Sequence, residues 1–362
     1  MTKDELFEIR VDEPDEKYMR ATKDVFDSLA KPLDGFGEFE NMICRIAAMQ
    51  RTSDPDVSSK ALIIMCADNG VVKEGVTQTD FKVTSSVASL MGKGMSSVCV
   101  MLRESGVKVI PVDIGIDSDE MIRGVRDKKI ASSTGNIRKE QAMEETQCIE
   151  AIAAGIDTVN DCVSNGIKII ATGEMGIGNT TTSTALFCAF TGEEPQKITG
   201  RGAGLSDEGL VKKIRVIEDA LKLHGLYVKT GETVSKEYAL KALSSVGGLD
   251  IAGLAGVFIG AALNHIPVVI DGAISAVSAL AASFIVPGCE AYMLSSHSGK
   301  EACTGEVLKL LGLKSVINAD MALGEGSGAV MLFPLLDMVM NVYRSGTRFA
   351  GSGIRQYERF CK

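Results

Sequence analysis

Four short apolar segments, each followed by Asp, Asn, Gly or Glu, constrain the fold of this chain more than any other feature. The segments are residues 61–66, 107–112, 167–171 and 267–270. The polar or glycine residues that follow them are, in the same order, Asp68-Asn69-Gly70, Asp113-Ile114-Gly115, Thr172-Gly173-Glu174 and Asp271-Gly272. Each has the length and β-branched content of a buried strand, and helix-compatible segments separate them. Continuous apolar strands alternating with helices indicate a parallel sheet covered on both faces. We predict an α/β fold with a doubly wound, Rossmann-like sheet that binds ligands at the carboxyl ends of its strands.

The two ends of the chain depart from this alternating pattern. Residues 38–50 have the spacing of an amphipathic helix, and residues 331–346 are apolar enough to form a packed helix. We predict a small helical domain made from residues 1–55 and 335–362, attached to a large α/β catalytic domain of residues 56–334.

Charge and hydropathy narrow the class of partner. The net charge is −9 and no cluster of five or more Lys or Arg occurs, so we expect neither nucleic acid nor a membrane surface as partner, and favour small-molecule substrates. The most membrane-like stretch is Ile251 to Ile270, which contains Asn264, His265 and Pro267 and is predicted to be a buried helix followed by a strand.

The cysteines and the amino terminus both suggest a cytoplasmic protein. Nine cysteines are scattered singly without a C-x-x-C pair, which predicts reduced thiols rather than a disulfide framework or a zinc site. The charged segment Met1 to Leu6 lacks the apolar core of a secretory signal.

Three glycine-rich segments are candidates for ligand binding. Residues 173–182 have the spacing of a P-loop, but Asn179 stands where that motif requires Lys, so an ATPase is disfavoured. Residues 199–210 supply successive backbone N–H groups followed by Lys212 and Lys213, a combination that suits one phosphate.

The third segment, residues 320–330, presents one carboxylate, Glu325, between glycines. Such a residue is either an acid or base at a loop tip or part of an ordinary surface turn. The chain has only three histidines, no nucleophile elbow and no clustered metal ligands, so we expect no metal. Of the catalytic mechanisms considered, the one that remains is acid–base chemistry by Glu174 and Glu325 on a phosphorylated substrate.

Several motifs together resemble one family. They are Gly173-Glu174-Met175-Gly176-Ile177-Gly178-Asn179-Thr180-Thr181, the segment 200–210, Asp271-Gly272, Ser296-His297 and Leu323-Gly324-Glu325-Gly326-Ser327-Gly328-Ala329. In this order they resemble the nicotinate-nucleotide:dimethylbenzimidazole phosphoribosyltransferases of cobamide (vitamin B12) biosynthesis.

The resemblance implies an enzyme without a cofactor that moves the 5-phosphoribosyl group of nicotinate mononucleotide onto an aromatic base. It implies Glu325 as the general base and Glu174 in a supporting role near nicotinate or ribose. The residues implied for phosphate and donor binding are Gly176, Gly178, Asn179, Thr180, Gly202, Gly204, Lys213 and Asp271. Those implied for the acceptor pocket are Gln78, Ser86, Leu323 and Gly324.

Other interpretations of these residues are retained. Lys213 could be a solvated helix residue, and Asp271 could cap a helix. Asn69, Ser86 and the segment 298–304 depart from the usual pattern, so a phenol, another benzimidazole or a purine could replace dimethylbenzimidazole as acceptor. We expect a homodimer or a heterodimer with a related subunit. The alternatives in function are a half-catalytic subunit of a hetero-oligomer and, less favoured, a nucleotide-binding kinase.

Overall fold

The computed structural model describes residues 1–229 and 231–359. The strands are β1 (Lys60–Ala67), β2 (Lys108–Gly115), β3 (Arg126–Asp127), β4 (Ile169–Met175), β5 (Val268–Ile270), β6 (Met293–Ser295), β7 (His297–Ser298) and β8 (Ile317–Asn318). The first seven helices are α1 (Lys3–Glu8), α2 (Glu16–Ser28), α3 (Glu38–Met49), α4 (Lys82–Gly92), α5 (Ser97–Met101), α6 (Glu145–Ser164) and α7 (Asn179–Thr191). They are followed by α8 (Pro195–Ile198), α9 (Asp207–His224), α10 (Lys236–Val246), α11 (Leu249–Leu263), α12 (Ala273–Ile285), α13 (Ala302–Leu310) and α14 (Ser327–Ser345). Short 3-10 helices occupy Gly70–Glu74 and Cys289–Tyr292.

The main sheet has six parallel strands in the order β3-β2-β1-β4-β5-β6. This order reverses direction between β1 and β4, which is the doubly wound arrangement, and it confirms the predicted fold class. Ligands bind such sheets in the crevice outside the carboxyl ends of the strands at this reversal. The register pairs Met65 of β1 with Glu174 of β4, so Glu174 lies at that point.

The hydrophobic pattern explains why these strands are central. All eight residues of β1 are buried, because helices cover both faces of the sheet. The predicted strands at 61–66, 107–112, 167–171 and 267–270 correspond to β1, β2, β4 and β5. The uncharged stretch 251–270 forms most of α11 and all of β5, as predicted, and none of the helices among the described residues is long and apolar enough to cross a membrane.

Helices from both ends of the chain pack together. The Phe26 ring on α2 lies 5.0 Å from the Tyr343 ring on α14, and Leu29 pairs with Arg348 in an isolated antiparallel bridge. Below them the buried Glu40 of α3 accepts hydrogen bonds from the ammonium groups of Lys23, at 2.8 Å, and Lys31, at 2.5 Å. The two-domain division remains a prediction; its boundary between 334 and 335 falls inside the continuous helix α14.

Candidate active site

A cavity of about 260 Å³ lies at the carboxyl ends of β4 and β5. Eight residues predicted for the site line it: Glu174, Gly176, Asn179, Thr180, Gly202, Asp271, Leu323 and Gly324. They come from four separate segments of the chain, which the sheet and the first turns of α7, α12 and α14 bring together. The cavity is therefore the candidate active site.

Glu174, the penultimate residue of β4, projects into this cavity. Burial raises the pKa of Glu174 to about 8, and the nearby carboxylates of Asp250, Asp271 and Glu325 act in the same direction. A hydrogen bond from the Asn179 side-chain amide opposes them, but the carboxyl group remains mostly protonated at neutral pH. A neutral carboxyl in a cavity can donate a hydrogen bond, and it becomes a counter-charge when a cation arrives.

The Asn179 side chain connects Glu174 to a buried carboxylate beneath the cavity. Its amide nitrogen also donates to Oδ2 of Asp250, 3.0 Å away on the first turn of α11. Asp250 is fully buried, and burial raises its pKa to about 6. Asp68, just after the end of β1, is equally buried with its pKa also raised by burial to about 6. Acidic groups thus accumulate under this part of the cavity.

Lys213 lies behind the other side of the cavity. Its side chain is fully buried, and its ammonium donates to Thr180 Oγ1 at 2.9 Å and to the Gly200 carbonyl at 3.2 Å. Among the described residues it forms no ion pair, and burial lowers its pKa to about 8. Gly202, with φ +53°, approaches so closely that a Cβ there would lie 2.9 Å from Thr180 Oγ1 and 3.6 Å from Lys213 Nζ. The solvated-helix interpretation of Lys213 is therefore wrong.

Glu325 sits in the middle of a strained turn beside Glu174. Gly324, Glu325 and Gly326 have φ of +78°, +59° and +81°, a run in which only glycine is at ease. The turn lies on β4, since a Cβ at Gly326 would be 2.9 Å from the Thr172 carbonyl. Glu325 is half-buried and does not line the cavity itself; its Oε2 accepts a hydrogen bond of 3.0 Å from the Val98 N–H.

Asp271 both lines the cavity and holds the helix that follows the Glu325 turn. Its Oδ1 accepts from the N–H groups of Gly328, at 2.9 Å, and Ala329, at 3.0 Å, in the first turn of α14. The helix-capping interpretation is thus correct for Asp271, and it coexists with a position in the cavity wall. Burial raises the pKa of Asp271, whereas the neighbouring His297 lowers it.

The remaining predicted residues lie farther out. Gly178 precedes α7, and Gly204 accepts a hydrogen bond on its carbonyl from the exposed Gln78 amide. Ser86 lies on α4 and lines a different groove, together with Met121. The structure therefore brings Leu323 and Gly324 to the cavity but does not bring Gln78 or Ser86 there.

Sequence reasoning missed several polar side chains of the site, among them Asp250, His297 and Thr304, and the charged residues Lys300 and Glu301 also line the cavity. Asp250 was overlooked because an acidic residue before an apolar helix looks like an ordinary first-turn residue. His297 was noted only as part of a motif, yet it lines the cavity, with Nδ1 3.0 Å from Ser296 Oγ. Thr304 lines it too, and its buried Oγ1 has no hydrogen-bond partner among the described residues. No local signal in the sequence marks Thr304.

Known proteins resemble this chain over most of its length. The profile of a family described as "Phosphoribosyltransferase" matches residues 11–354. A relative from Acetivibrio thermocellus, named nicotinate-nucleotide–dimethylbenzimidazole phosphoribosyltransferase, is 40% identical over 332 residues, 92% of this chain and 92% of its own length. A relative of the same name from Alkaliphilus metalliredigens is 38% identical and covers 95% of this chain and 97% of its own.

Solved structures resemble the fold over nearly its whole length. The crystal structure of CobT from Thermus thermophilus superposes with a TM-score of 0.86 at 28% identity, covering 94% of this chain and all of the CobT chain. Together with the relatives and the family profile, this resemblance establishes that the chain belongs to the nicotinate-nucleotide–dimethylbenzimidazole phosphoribosyltransferase family.

Proposed function

We propose that this protein transfers the 5-phosphoribosyl group of nicotinate mononucleotide to an aromatic lower-ligand base, giving nicotinate and an α-riboside 5′-phosphate for cobamide assembly. The observation that carries the proposal is the opposite polarity of the two sides of the cavity. One side has a buried ammonium without an ion pair among the described residues, and the other has a group of carboxyls. Nicotinate mononucleotide has an anionic phosphate at one end and, at the other, a ring that bears both a pyridinium cation and a carboxylate; its phosphate matches the lysine side, and its pyridinium nitrogen beside C1′ matches the carboxyl side.

The phosphate belongs on the Lys213 side. The Lys213 ammonium forms no ion pair among the described residues, and burial lowers its pKa although the nearby Glu301 carboxylate raises it, so the ammonium gains from a ligand that brings a negative charge. The Thr180 hydroxyl and the closely approaching Gly202 backbone complete a small cradle there. Gly176 and Gly178 shape the turn before α7, and Gly204 belongs to the same loop as Gly202.

The pyridinium ring belongs on the Glu174 side. Glu174 and Asp271 line the cavity, Asp250 lies beneath it and Glu325 lies beside it, so four carboxyl groups share one small region. Such a set favours the cationic ring of the donor and the oxocarbenium-like transition state that forms as the ring leaves. A P-loop kinase site would instead require cationic groups here.

The transfer needs only proton movement at the acceptor. The Glu325 carboxylate takes the proton from an acceptor N–H or O–H, and the acceptor's electron pair forms the bond to C1′. The C1′–nitrogen bond of the donor breaks, and its electron pair stays on the pyridine nitrogen of nicotinate. Attack from the face opposite nicotinate converts the β-riboside into the α-riboside. The hydrogen bond from Val98 N–H keeps the Glu325 carboxylate in place through this step.

For the acceptor we propose the pocket formed by Leu323 and Gly324. Leu323 is 53% exposed, so it offers an apolar surface on which a flat base can pack beside Glu325. Gln78 and Ser86 stay in the proposal as residues that select the acceptor from outside the described cavity.

The decisive experiment is to incubate the purified protein with nicotinate mononucleotide and one acceptor at a time, and to measure free nicotinate. The acceptors are dimethylbenzimidazole, other benzimidazoles, phenols and adenine. We expect nicotinate release that depends on at least one of them, together with a riboside phosphate of matching mass. No release with any acceptor would contradict the proposal and favour the role of a half-catalytic subunit.

We further propose a dimeric assembly in the cytoplasm. Met331 and Met338 are exposed, by 41% and 64%, at positions seven residues apart on α14, as expected for a face that another subunit covers. A single monomeric species in sedimentation at micromolar concentration would contradict the dimer. The eight described cysteines are buried free thiols, which suits a reducing compartment; Cys361 lies outside the described residues.

A further inference from the structure

A second, larger cavity lies away from the candidate active site. It has a volume of about 820 Å³, within the range of small-molecule sites, and it shares no lining residue with the active-site cavity. It is open to solvent on one side and is bordered by the C-terminal halves of α7 and α12, by α13 and by the segment around Val234. None of the chemistry proposed above uses it.

The inner wall of this cavity is aromatic. Phe187 and Phe190 of α7 are almost fully buried, and the Phe190 ring meets the Phe284 ring of α12 edge to face, with centroids 5.2 Å apart. Leu280 extends the same apolar wall. Aromatic faces carry negative charge density, so they attract flat apolar rings and cations alike.

The rim of the cavity is acidic. Four glutamates line it, Glu193, Glu232, Glu290 and Glu306, against a single cation, Lys197. Lys197 is already paired with Glu194 outside the cavity, at 3.3 Å, and Glu306 is paired with Lys309 at 2.8 Å.

The other three rim glutamates form no ion pair with any described residue. Within the described part of the chain, the side-chain partners of Glu232 and Glu290 are backbone N–H groups, from Lys229 and from Gly288. The charges of the three glutamates are therefore available to a ligand, and an apolar cavity bordered by uncompensated carboxylates excludes anions.

We propose that this cavity is a second ligand site, which takes an aromatic molecule of about two fused rings that carries one positive charge. The rings pack against Phe284 and against the accessible apolar surface of Leu310 and Leu311, and the cationic group lies at the rim beside Glu193 and Glu232. The proposal does not depend on the transferase activity, because it rests on residues that the proposed reaction does not involve.

Three probes of the same shape and different charge test the site: 1-naphthylmethylamine, 1-naphthylmethanol and 1-naphthoate. Binding is measured by calorimetry on the full chain, with saturating nicotinate mononucleotide and with Glu325→Gln in the background to slow turnover. We expect the amine to bind with a Kd below about 1 mM, at least about fivefold more tightly than the alcohol. Naphthoate should bind more weakly still.

Two variants locate the binding. Ser283→Trp places an indole in the cavity from a half-buried position on α12, and it should abolish binding of the amine. The double variant Glu193→Gln, Glu232→Gln keeps the cavity shape and should reduce the preference for amine over alcohol to less than about twofold. Glu237→Gln, which changes an exposed glutamate on α10 that neither lines the cavity nor pairs with Lys197, is the matched control and should leave the preference intact.

Several results would overturn the proposal. These are no binding of the amine, equal binding of amine and alcohol, or unchanged binding in a folded Ser283→Trp variant. If Ser283→Trp does not fold, a preference for the amine that persists in the double glutamine variant is equally contradictory. If the monomer binds the amine but the dimer does not, a second copy of the chain covers the cavity. That result would also refute a ligand site.

Discussion

Replacing Lys213 with Met should weaken binding of the donor phosphate and at the same time stabilise the folded protein. Methionine has nearly the same length and fills the same buried space, but it carries no charge. The ammonium is buried, donates to Thr180 and Gly200, and forms no ion pair with the described residues. If the phosphate of the donor supplies the missing counter-charge, the substitution removes one charged hydrogen bond to the substrate. Such bonds contribute about 1.5–3 kcal/mol, so the KM for nicotinate mononucleotide should rise about 10- to 150-fold.

The same substitution should stabilise the free protein. The pKa of Lys213 is lowered by burial from 10.5 to about 8, which corresponds to a penalty of about 3 kcal/mol for the charged form at neutral pH. Methionine removes this penalty but leaves the Gly200 carbonyl and the Thr180 hydroxyl without their donor, at a cost of about 1–2 kcal/mol. We expect a net gain in the free energy of unfolding of about 1–2 kcal/mol at pH 7.

The pH dependence of the free energy of unfolding independently tests whether the buried Lys213 charge destabilises the fold. Because the folded-state pKa lies below the unfolded value, the unfolded chain binds more protons between pH 8 and pH 10.5. The contribution of Lys213 to the wild-type free energy of unfolding therefore rises with pH across this window, and the advantage of Lys213→Met shrinks. Donor binding changes in the opposite sense, since the ammonium that holds the phosphate is lost above pH 8.

The assays are steady-state kinetics with varied donor and urea unfolding at pH 7 and pH 9.5. Lys212→Met, at the exposed neighbouring residue, is the matched control and should change neither quantity appreciably. An unchanged donor KM in Lys213→Met would show that the phosphate binds elsewhere. A clear loss of stability at pH 7 would show that the buried ammonium is not a cost to the fold.

Three further substitutions test the other parts of the site and the fold. Glu325→Gln keeps the shape of the side chain and should lower kcat by about 10²–10⁴ with little change in donor Kd, and an unchanged kcat would assign the base to another group. Wild-type protein should release a proton when nicotinate mononucleotide binds at pH 7, because the cationic ring lowers the raised pKa of Glu174. Calorimetry in buffers of different ionisation enthalpy should show this release, and Glu174→Gln should abolish it. Glu40→Gln leaves the ammonium groups of Lys23 and Lys31 without their buried carboxylate, so the free energy of unfolding should fall by about 3 kcal/mol in urea denaturation, whereas equal stability would show that the ion pairs contribute nothing.

The strands of the sheet were predictable because their apolar runs are continuous. The four predicted runs became β1, β2, β4 and β5, but both edge strands of the main sheet were missed: the two-residue β3, Arg126–Asp127, and also β6, Met293–Ser295. It has only three residues and follows a 3-10 helix, so its apolar run is too short to stand out. Its place beside β5 is set by long-range pairing that no local pattern contains.

The candidate site was predictable only where the chain carries its own signal. Glycine beside a carboxylate marks Glu174 and Glu325, because tight backbone approach requires glycine wherever it occurs. Asp250 and Thr304 became visible only in three dimensions, since burial and the lack of a hydrogen-bond partner are properties of the folded chain. Ser86 is the opposite case, a residue expected in the site that the structure places elsewhere. The family resemblance implied a place in the acceptor pocket, but Ser86 on α4 lines another groove.

The first turn of α7 has one further consequence, for the length of molecule that the enzyme accepts. Successive residues of a helix point about 100° apart, and here they are Asn179, bonded to the carboxyls, and Thr180, bonded to the lysine. The Lys213 side and the carboxyl side of the cavity are therefore linked through two adjacent residues of one helix, which fixes the spacing between these two contacts. We expect a donor lengthened by one methylene between ribose and phosphate to bind more weakly, and a slide of α7 would not compensate, because it carries the Asn179 and Thr180 contacts together.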